Sequence, residues 1–206
     1  EEQDQTSIEV RYSSTFSDRF NFVVGVNQFQ QEYSIGERRN FFIALNAATY
    51  SETEHDTFGV FGEINFNVTD ALSVTAGGRW TKEEKSIDIG ILGSCELDFS
   101  SCTNNASNEK DWSNFSPKVA AQYQFTDDMM AYASWTRGFA SGVFNARAAT
   151  LDAVGPTDPE SVDSIEVGFK TSFLDGRGIF NIAYFQADYE DLILFVFPVI
   201  FILKIS

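Results

Sequence analysis

Cations, histidine, cysteine and long hydrophobic runs are all scarce in this chain. It has 14 Lys and Arg residues against 30 Asp and Glu, which gives a formal net charge of -16 at pH 7. Nucleic-acid binding requires a basic face for the phosphates, so the charge argues against this class of function. The acidity favours solubility and solvated loops. The alternative, divalent cations that bridge the chain to an anionic surface, has no ligand cluster to support it.

The chain has no run of about 18 apolar residues, which excludes a membrane-spanning helix. Its longest apolar stretch, Leu192–Leu203, is interrupted by Pro198. The first residues, Glu1–Gln5, lack the basic and apolar regions of a signal peptide. We therefore expect either that a leader has been removed or that the chain is an internal piece of a longer protein.

Catalytic motifs are also missing. His55 is the only histidine, so a nucleophile–histidine–acid triad would depend on it, and the chain has no Gly-x-Ser-x-Gly elbow. The neighbouring Glu52, Glu54 and Asp56 indicate a solvated acidic loop rather than a metal site. No glycine-rich phosphate-binding motif occurs. The sequence thus predicts no enzyme, no cofactor and no metal site.

The two cysteines, Cys95 and Cys102, lie in a long polar stretch and enclose residues 96–101. This spacing suits a local disulfide in an oxidising compartment. A metal site is less well supported, because no second cysteine pair or nearby histidine completes a set of four ligands. We therefore predict a disulfide.

Aromatic residues and alternating segments are what the chain has in abundance. There are 21 Phe, 7 Tyr and 3 Trp residues, and aromatic side chains fit a pleated surface with one buried face. Short polar turns join three pairs of alternating segments, which are Phe58–Asn67 with Leu72–Trp80, Phe115–Phe125 with Met129–Arg137, and Ser161–Phe173 with Gly178–Tyr189. Thr6–Ser14 and Arg19–Gln31 are two further strand candidates.

The connections on the other side of each pair are long and polar. We expect loops over Glu32–Thr57, Ile87–Asn114 and Gly138–Pro159. Short turns at one end and long loops at the other are typical of transmembrane β-barrels. Glu166 and Lys170 also share one strand face, which suits a hydrated barrel interior better than a dry sandwich core.

The sequence therefore predicts an all-β fold, an antiparallel meander of about eight strands that forms a partial or small transmembrane β-barrel. Each candidate strand is near the ~9–11 residues that a tilted span needs. Two alternatives remain open. One is a small stand-alone outer-membrane barrel that acts as an anchor or adhesin through its Cys95–Cys102 loop. The other is a soluble β-sandwich binding module, because sandwich strands also alternate.

Several segments resemble the barrel of TonB-dependent outer-membrane receptors. They are Met130–Phe139, Gly142–Asn145, Pro159–Lys170, Phe173–Arg177 and Asn181–Phe185, and the similarity covers Thr6–Asp191. The resemblance implies a large barrel of about 22 strands, closed by an N-terminal plug, in the outer membrane of a Gram-negative bacterium. It also implies import of a scarce ligand such as a ferric siderophore, cobalamin or a glycan.

The resemblance further implies partners and a ligand-contacting region. The partners are outer-membrane lipid and the TonB complex, the latter through an N-terminal part that, like the plug, is missing from this sequence. Phe139, Phe144, Asn145 and Arg147 are the expected ligand contacts near the barrel mouth. We expect residues 1–191 to form a partial receptor barrel. Residues 192–206 depart from the family pattern as an apolar tail, which a truncated or frameshifted gene would explain.

Overall fold

The computed structural model describes residues 1–41, 45–91, 93, 95, 101–103, 105–148 and 150–193. Most of these residues lie in eight strands, which are β1 (Glu2–Ser13), β2 (Phe20–Phe41), β3 (Leu45–Asn67), β4 (Leu72–Gly90), β5 (Asn105–Thr126), β6 (Met129–Ala140), β7 (Glu160–Phe173) and β8 (Gly178–Glu190). A single 3-10 turn, Leu151–Val154, lies between β6 and β7. No helix in this part of the chain has the length and apolar character to cross a membrane.

The strands form one sheet in the order β1 to β8, and each strand pairs antiparallel with the next one along the chain. This arrangement confirms the predicted all-β meander of about eight strands. A sandwich would divide the strands between two packed sheets, so the sandwich alternative is not supported. Within the described residues, β1 and β8 each pair with one neighbour and form the two open edges of the sheet.

Short turns lie at one end of the sheet, as the sequence predicts. Residues 68–71, 127–128 and 174–177 link the three strand pairs. In the last of these turns Gly176 has a φ of +79°, in the left-handed region that glycine adopts without strain. At the opposite end, residues 91–104 link β4 to β5, and residues 141–159 link β6 to β7. The asymmetry that indicated a barrel is therefore present for these two connections, whereas only residues 42–44 link β2 to β3 at the same end.

The strands are longer than the sequence suggested. β2, β3, β4 and β5 span 22, 23, 19 and 22 residues. The loop expected over Glu32–Thr57 is therefore almost entirely paired strand, and so is half of the loop expected over Ile87–Asn114. The prediction was wrong for these strand residues. The reason is that backbone pairing continues after the apolar alternation stops. Val26 is followed on its own face by Gln28 and Gln30, which keep the register with β3 but carry no apolar signal.

One face of the sheet carries an exposed apolar band. On β5 its outward residues run from Phe115 through Val119 to Tyr123, which are 58%, 47% and 44% exposed. Val119 pairs in register with Ala76 on β4 and Trp135 on β6, so the band continues across the sheet. An exposed apolar face of this extent marks an interaction surface. Because the strands that carry this band are long enough to cross a membrane, we expect the band to lie against lipid.

The opposite face, here called the inner face, is polar. Lys118 Nζ lies 2.8 Å from Glu63 Oε2 across the sheet. Tyr132 donates a hydrogen bond to Glu166, and its ring centroid lies 5.3 Å from Lys170 Nζ. Charged groups at the level of the apolar band require contact with water or with partner groups of opposite charge. The inner face therefore matches the hydrated interior that the sequence indicated from Glu166 and Lys170.

The apolar band predicts a strong difference between the two faces of β5. Val119→Arg places a cation at the centre of the outward face, and we expect a loss of about 2–4 kcal/mol of folding free energy in a bilayer. Gln122→Arg adds the same charge to the inner face and serves as the matched control. Heat-modifiable migration of the membrane-inserted protein measures both. Equal loss of folded protein in the two variants would contradict a lipid-facing band.

Candidate functional site

The β6–β7 loop (residues 141–159) folds against the inner face of the sheet. Gly142 makes the closest approach, since a Cβ atom there would collide with the Thr157 carbonyl oxygen and lie 2.7 Å from Trp112 Cζ2. Any larger residue would push Thr157 in the other arm of the loop away and displace the Trp112 ring. The two arms of the loop are joined by Val143 N, which donates to Thr157 Oγ1, and by Thr157 N, which donates to Val143 O, both at 3.0 Å. These two hydrogen bonds therefore hold the two arms of the loop together.

A small hydrophobic cluster holds this loop on β4. Ile87 and Ile89 of β4 are 1% and 3% exposed, and Ala148 and Val154 of the loop are 1% and 2% exposed. Phe144 packs against the same cluster. Because these side chains leave water on contact, their burial favours the inward position of the loop.

A polar cluster lies at the base of the loop. This Glu83 cluster consists of Glu83 and Lys85 of β4, His55 of β3 and Ser141 of the loop. Glu83 Oε2 accepts a hydrogen bond from Ser141 Oγ at 2.7 Å and lies 2.9 Å from His55 Nε2. Lys85 Nζ donates to Ser141 Oγ at 2.6 Å and to Gly142 O at 3.2 Å, and lies 3.5 Å from Glu83 Oε2. One carboxylate oxygen therefore connects two strands and the loop.

The Glu83 cluster lies beyond the apolar band. Trp80 is the last large apolar residue on the outward face of β4, and the next two outward residues, Lys82 and Glu84, form an ion pair. Glu84 pairs in register with Asp56 on β3 and Asp111 on β5, so the outward face of the neighbouring strands is charged as well. This level of the sheet is therefore surrounded by water, on the side of the long connections.

Glu83 is held as an anion. The hydrogen bond with His55 is the largest cause, burial acts against it, and the Ser141 hydrogen bond and the Lys85 charge add to the effect. Together they lower the pKa of Glu83 from 4.5 to about 2. The carboxylate therefore keeps its charge, and with it its hydrogen bonds, throughout the physiological pH range.

This lowered pKa predicts a defined acid dependence. A carboxyl whose pKa is lower in the folded state stabilises the fold above pH 4.5, and the contribution is lost as the pH falls toward 2. The difference in unfolding free energy between the wild-type protein and Glu83→Gln should shrink by on the order of 2 kcal/mol across this window, with allowance for water in the interior. Urea unfolding in detergent at pH 6, 4 and 2 measures it. A difference that is the same at pH 6 and pH 2 would contradict the assignment.

The structure separates the four expected ligand contacts. Phe139 lies in β6, not in a loop, and strand alternation puts it on the outward face with Trp135. The expected loop Gly138–Pro159 therefore begins later, after Ala140. Phe144 lies in the β6–β7 loop, with its ring centroid 6.4 Å from that of Trp112 in an edge-to-face contact.

Asn145 and Arg147 lie together in the β6–β7 loop. Asn145 N donates to Val154 O at 2.8 Å, and Asn145 Oδ1 accepts from Arg147 N at 3.0 Å. The Arg147 side chain is 58% exposed, and its Nε lies 3.1 Å from Glu37 Oε2 on β2. Of the four expected contacts, Arg147 is the exposed one, and a ligand-binding role for any of them stays a prediction.

His55 was predicted to lie in a solvated loop, whereas the structure places it within β3 with a side chain that is 27% exposed. Glu83, Lys85 and Ser141 were not predicted as site residues. A signal for two of these was present, because Glu83 and Lys85 are two residues apart in the stretch that follows Trp80. In an extended strand that spacing puts opposite charges on one face.

Cys95 and Cys102 form a disulfide with an S–S distance of 2.07 Å. Both sulfur atoms lie over the end of β4, where a Cβ atom on Gly90 would be 2.5 Å from each of them. In the described part of the chain, no group of three or more His, Cys, Asp or Glu side chains could hold a metal ion.

Comparison with known proteins gives consistent matches. The family described as TonB dependent receptor-like, beta-barrel, matches residues 2–202. The chain is 25% identical over 144 residues to the ferric-pyoverdine BN7/BN8 receptor of Pseudomonas putida, and 28% identical over 142 residues to the ferripyoverdine receptor of Pseudomonas aeruginosa. These alignments cover 69% of the chain but only 16% and 15% of the two relatives.

A solved structure shares the fold. The ferric yersiniabactin uptake receptor FyuA from Yersinia pestis superposes with a TM-score of 0.80 at 16% sequence identity. The superposition covers 92% of this chain and 29% of that receptor. Since the family match extends over nearly the whole sequence, this chain belongs to the TonB-dependent receptor family, whose members are receptors and not enzymes.

Proposed function

We propose that this chain is part of the barrel of an outer-membrane receptor that imports a ferric siderophore. The observation that carries the proposal is the pair of curated relatives, both of which are receptors for ferric pyoverdine. A siderophore of this class is therefore the proposed cargo, ahead of cobalamin and glycans. The ferric ion in this proposal is cargo and not a resident cofactor.

The open edges of the sheet support a place within a larger barrel. Each unpaired backbone group in lipid costs several kcal/mol, so β1 and β8 need partner strands. In the Yersinia pestis receptor, the equivalent sheet makes up 29% of a longer chain. We propose that residues 1–191 are one arc of such a barrel and that further sequence of the same protein supplies the other strands, the plug and the part that contacts the TonB complex. The apolar tail expected at residues 192–206 lies, from residue 194 onward, outside the described residues.

The two faces of the sheet fit this proposal. The apolar band around Val119 would meet the lipid of the Gram-negative outer membrane, and the inner face would border the water-filled passage. The β6–β7 loop lies on the inner face at the end of the sheet with the long connections. There the exposed guanidinium of Arg147 is the proposed contact for the oxygen-rich groups of a siderophore.

Gene deletion tests the proposed cargo. We expect a host strain that lacks the gene to lose uptake of radioactive iron supplied as ferric pyoverdine, because the proposed receptor for this complex is absent. Uptake of labelled cobalamin should be unchanged. A host that lacks TonB should show the same defect in iron uptake, since gated import needs energy from the inner membrane.

Complementation with the intact gene is the control, and uptake should return. A blot with an antibody against residues 105–114 should show a heat-modifiable outer-membrane band well above 23.0 kDa. Normal ferric pyoverdine uptake in the deletion strain, with a loss of cobalamin uptake or of growth on a glycan, would contradict the siderophore assignment. A folded band at 23.0 kDa would contradict the larger barrel.

A further inference from the structure

At the base of the β6–β7 loop, a single carboxylate attaches the loop to the inner face. Glu83 Oε2 receives Ser141 Oγ from the loop and lies beside His55 Nε2 and Lys85 Nζ from two adjacent strands. Ser141 is 5% exposed, and the Glu83 and Lys85 side chains are each 17% exposed. Charge-assisted hydrogen bonds that are shielded from water in this way are stronger and more directional than surface ion pairs.

Because of the position of Ser141, this attachment affects the direction of the whole loop. Ser141 is the first residue after β6 ends at Ala140, so it is where the chain turns from the sheet into the loop. Lys85 fixes the next peptide as well, through its hydrogen bond to Gly142 O at 3.2 Å. The direction in which the loop leaves β6 is thus set by the Glu83 cluster.

A second attachment holds the far side of the loop. Asn108 Nδ2 on β5 donates to Gly155 O at 3.0 Å. Between the two attachments, the loop presents Arg147 with its exposed side chain. The hydrophobic cluster around Ile87 supplies adhesion without fixed direction. These two polar attachments, together with the contact between Arg147 and Glu37, determine where the loop lies on the wall.

We propose that Glu83 is a positioning residue for ligand recognition, because it holds the β6–β7 loop in the inward conformation that shapes the entrance of the receptor. The consequence for ligand binding rests on the proposed function, but the anchoring of the loop does not. A loop held in its binding conformation loses less conformational entropy when the ligand arrives. Removal of the Glu83 charge therefore releases the loop and weakens ligand binding.

Trypsin digestion of intact cells tests the anchoring without any ligand. Arg147 is exposed, but Ala148 on the other side of the scissile bond is 1% exposed. Cleavage after Arg147 therefore requires Ala148 to leave the wall. We expect Glu83→Gln to raise the rate of this cleavage by about tenfold or more, in line with the loss of a hydrogen bond to a charged group. Ser141→Ala, which removes the hydroxyl that bonds both Glu83 and Lys85 and leaves the strands untouched, should raise it as well. Mass spectrometry of the fragment that begins at Ala148 measures the rate.

Glu84→Gln is the matched control. It removes the same charge from the next residue of β4, but Glu84 lies on the outward face and pairs with Lys82. We expect its cleavage rate and its heat-modifiable migration to equal those of the wild-type receptor. If Glu83→Gln and Ser141→Ala were both cleaved as slowly as this control, the anchoring role of Glu83 would be wrong.

Binding of ferric pyoverdine to isolated outer membranes tests the positioning role. For Glu83→Gln we expect the concentration at half saturation to rise several-fold while the number of sites stays the same. Faster cleavage with unchanged binding would overturn the positioning role. If the wild-type receptor itself bound no ferric pyoverdine, the proposed cargo would be wrong, and the protease experiment would still decide whether Glu83 anchors the loop.

Discussion

Backbone pairing in the absence of water is the constraint on which the rest of this structure depends. In lipid, every N–H and C=O group needs a protein partner, and antiparallel neighbours supply those partners across the whole sheet. Once the strands are paired, their side chains alternate between a lipid side and a water side. That alternation produces the apolar band around Val119 and the polar inner face where Lys118 meets Glu63. The same constraint identifies β1 and β8 as the edges at which the described sheet needs further strands.

Beyond the apolar band, other interactions determine the structure. The parts of β2 to β5 beyond the apolar band, toward the long connections, are surrounded by water, and lipid does not enforce their pairing. The β6–β7 loop covers their inner face through two kinds of contact. Burial of Ile87 against Val154 provides adhesion, and the hydrogen bonds of Glu83 and Lys85 to Ser141 provide direction. Under the proposed function, the interactions that position the loop are also the ones that connect the fold to ligand selectivity.

The sequence predicted the part of the fold that lipid imposes. Strict alternation and short polar turns revealed the meander. The alternation is strict because apolar residues such as Val119 must face lipid, and their neighbours then face the interior. Prediction failed over Glu32–Thr57 and over the strand residues of Ile87–Asn114, because the outward residues there are mostly polar. In the second range, the alternation of Ile87 and Ile89 with Asp88 and Gly90 was a strand signal that was not used. The family resemblance predicted that the segment with Phe144 and Arg147 contacts the ligand, and this stays a prediction. The Glu83 cluster was missed, because it joins residues that are 28 and 58 positions apart in the chain and no local pattern reports such contacts.

The central claim is that the outward face of this sheet meets lipid and the inner face meets water. Spin labels attached singly to residues 118 to 122 of β5, in the receptor reconstituted in bilayers, test that claim most directly. Oxygen, which concentrates in lipid, should relax the labels at Val119 and Ala121, and a water-soluble nickel complex should relax those at Lys118, Ala120 and Gln122. This period-two alternation is the predicted result. Equal access of both reagents at all five positions, or the opposite alternation, would contradict it.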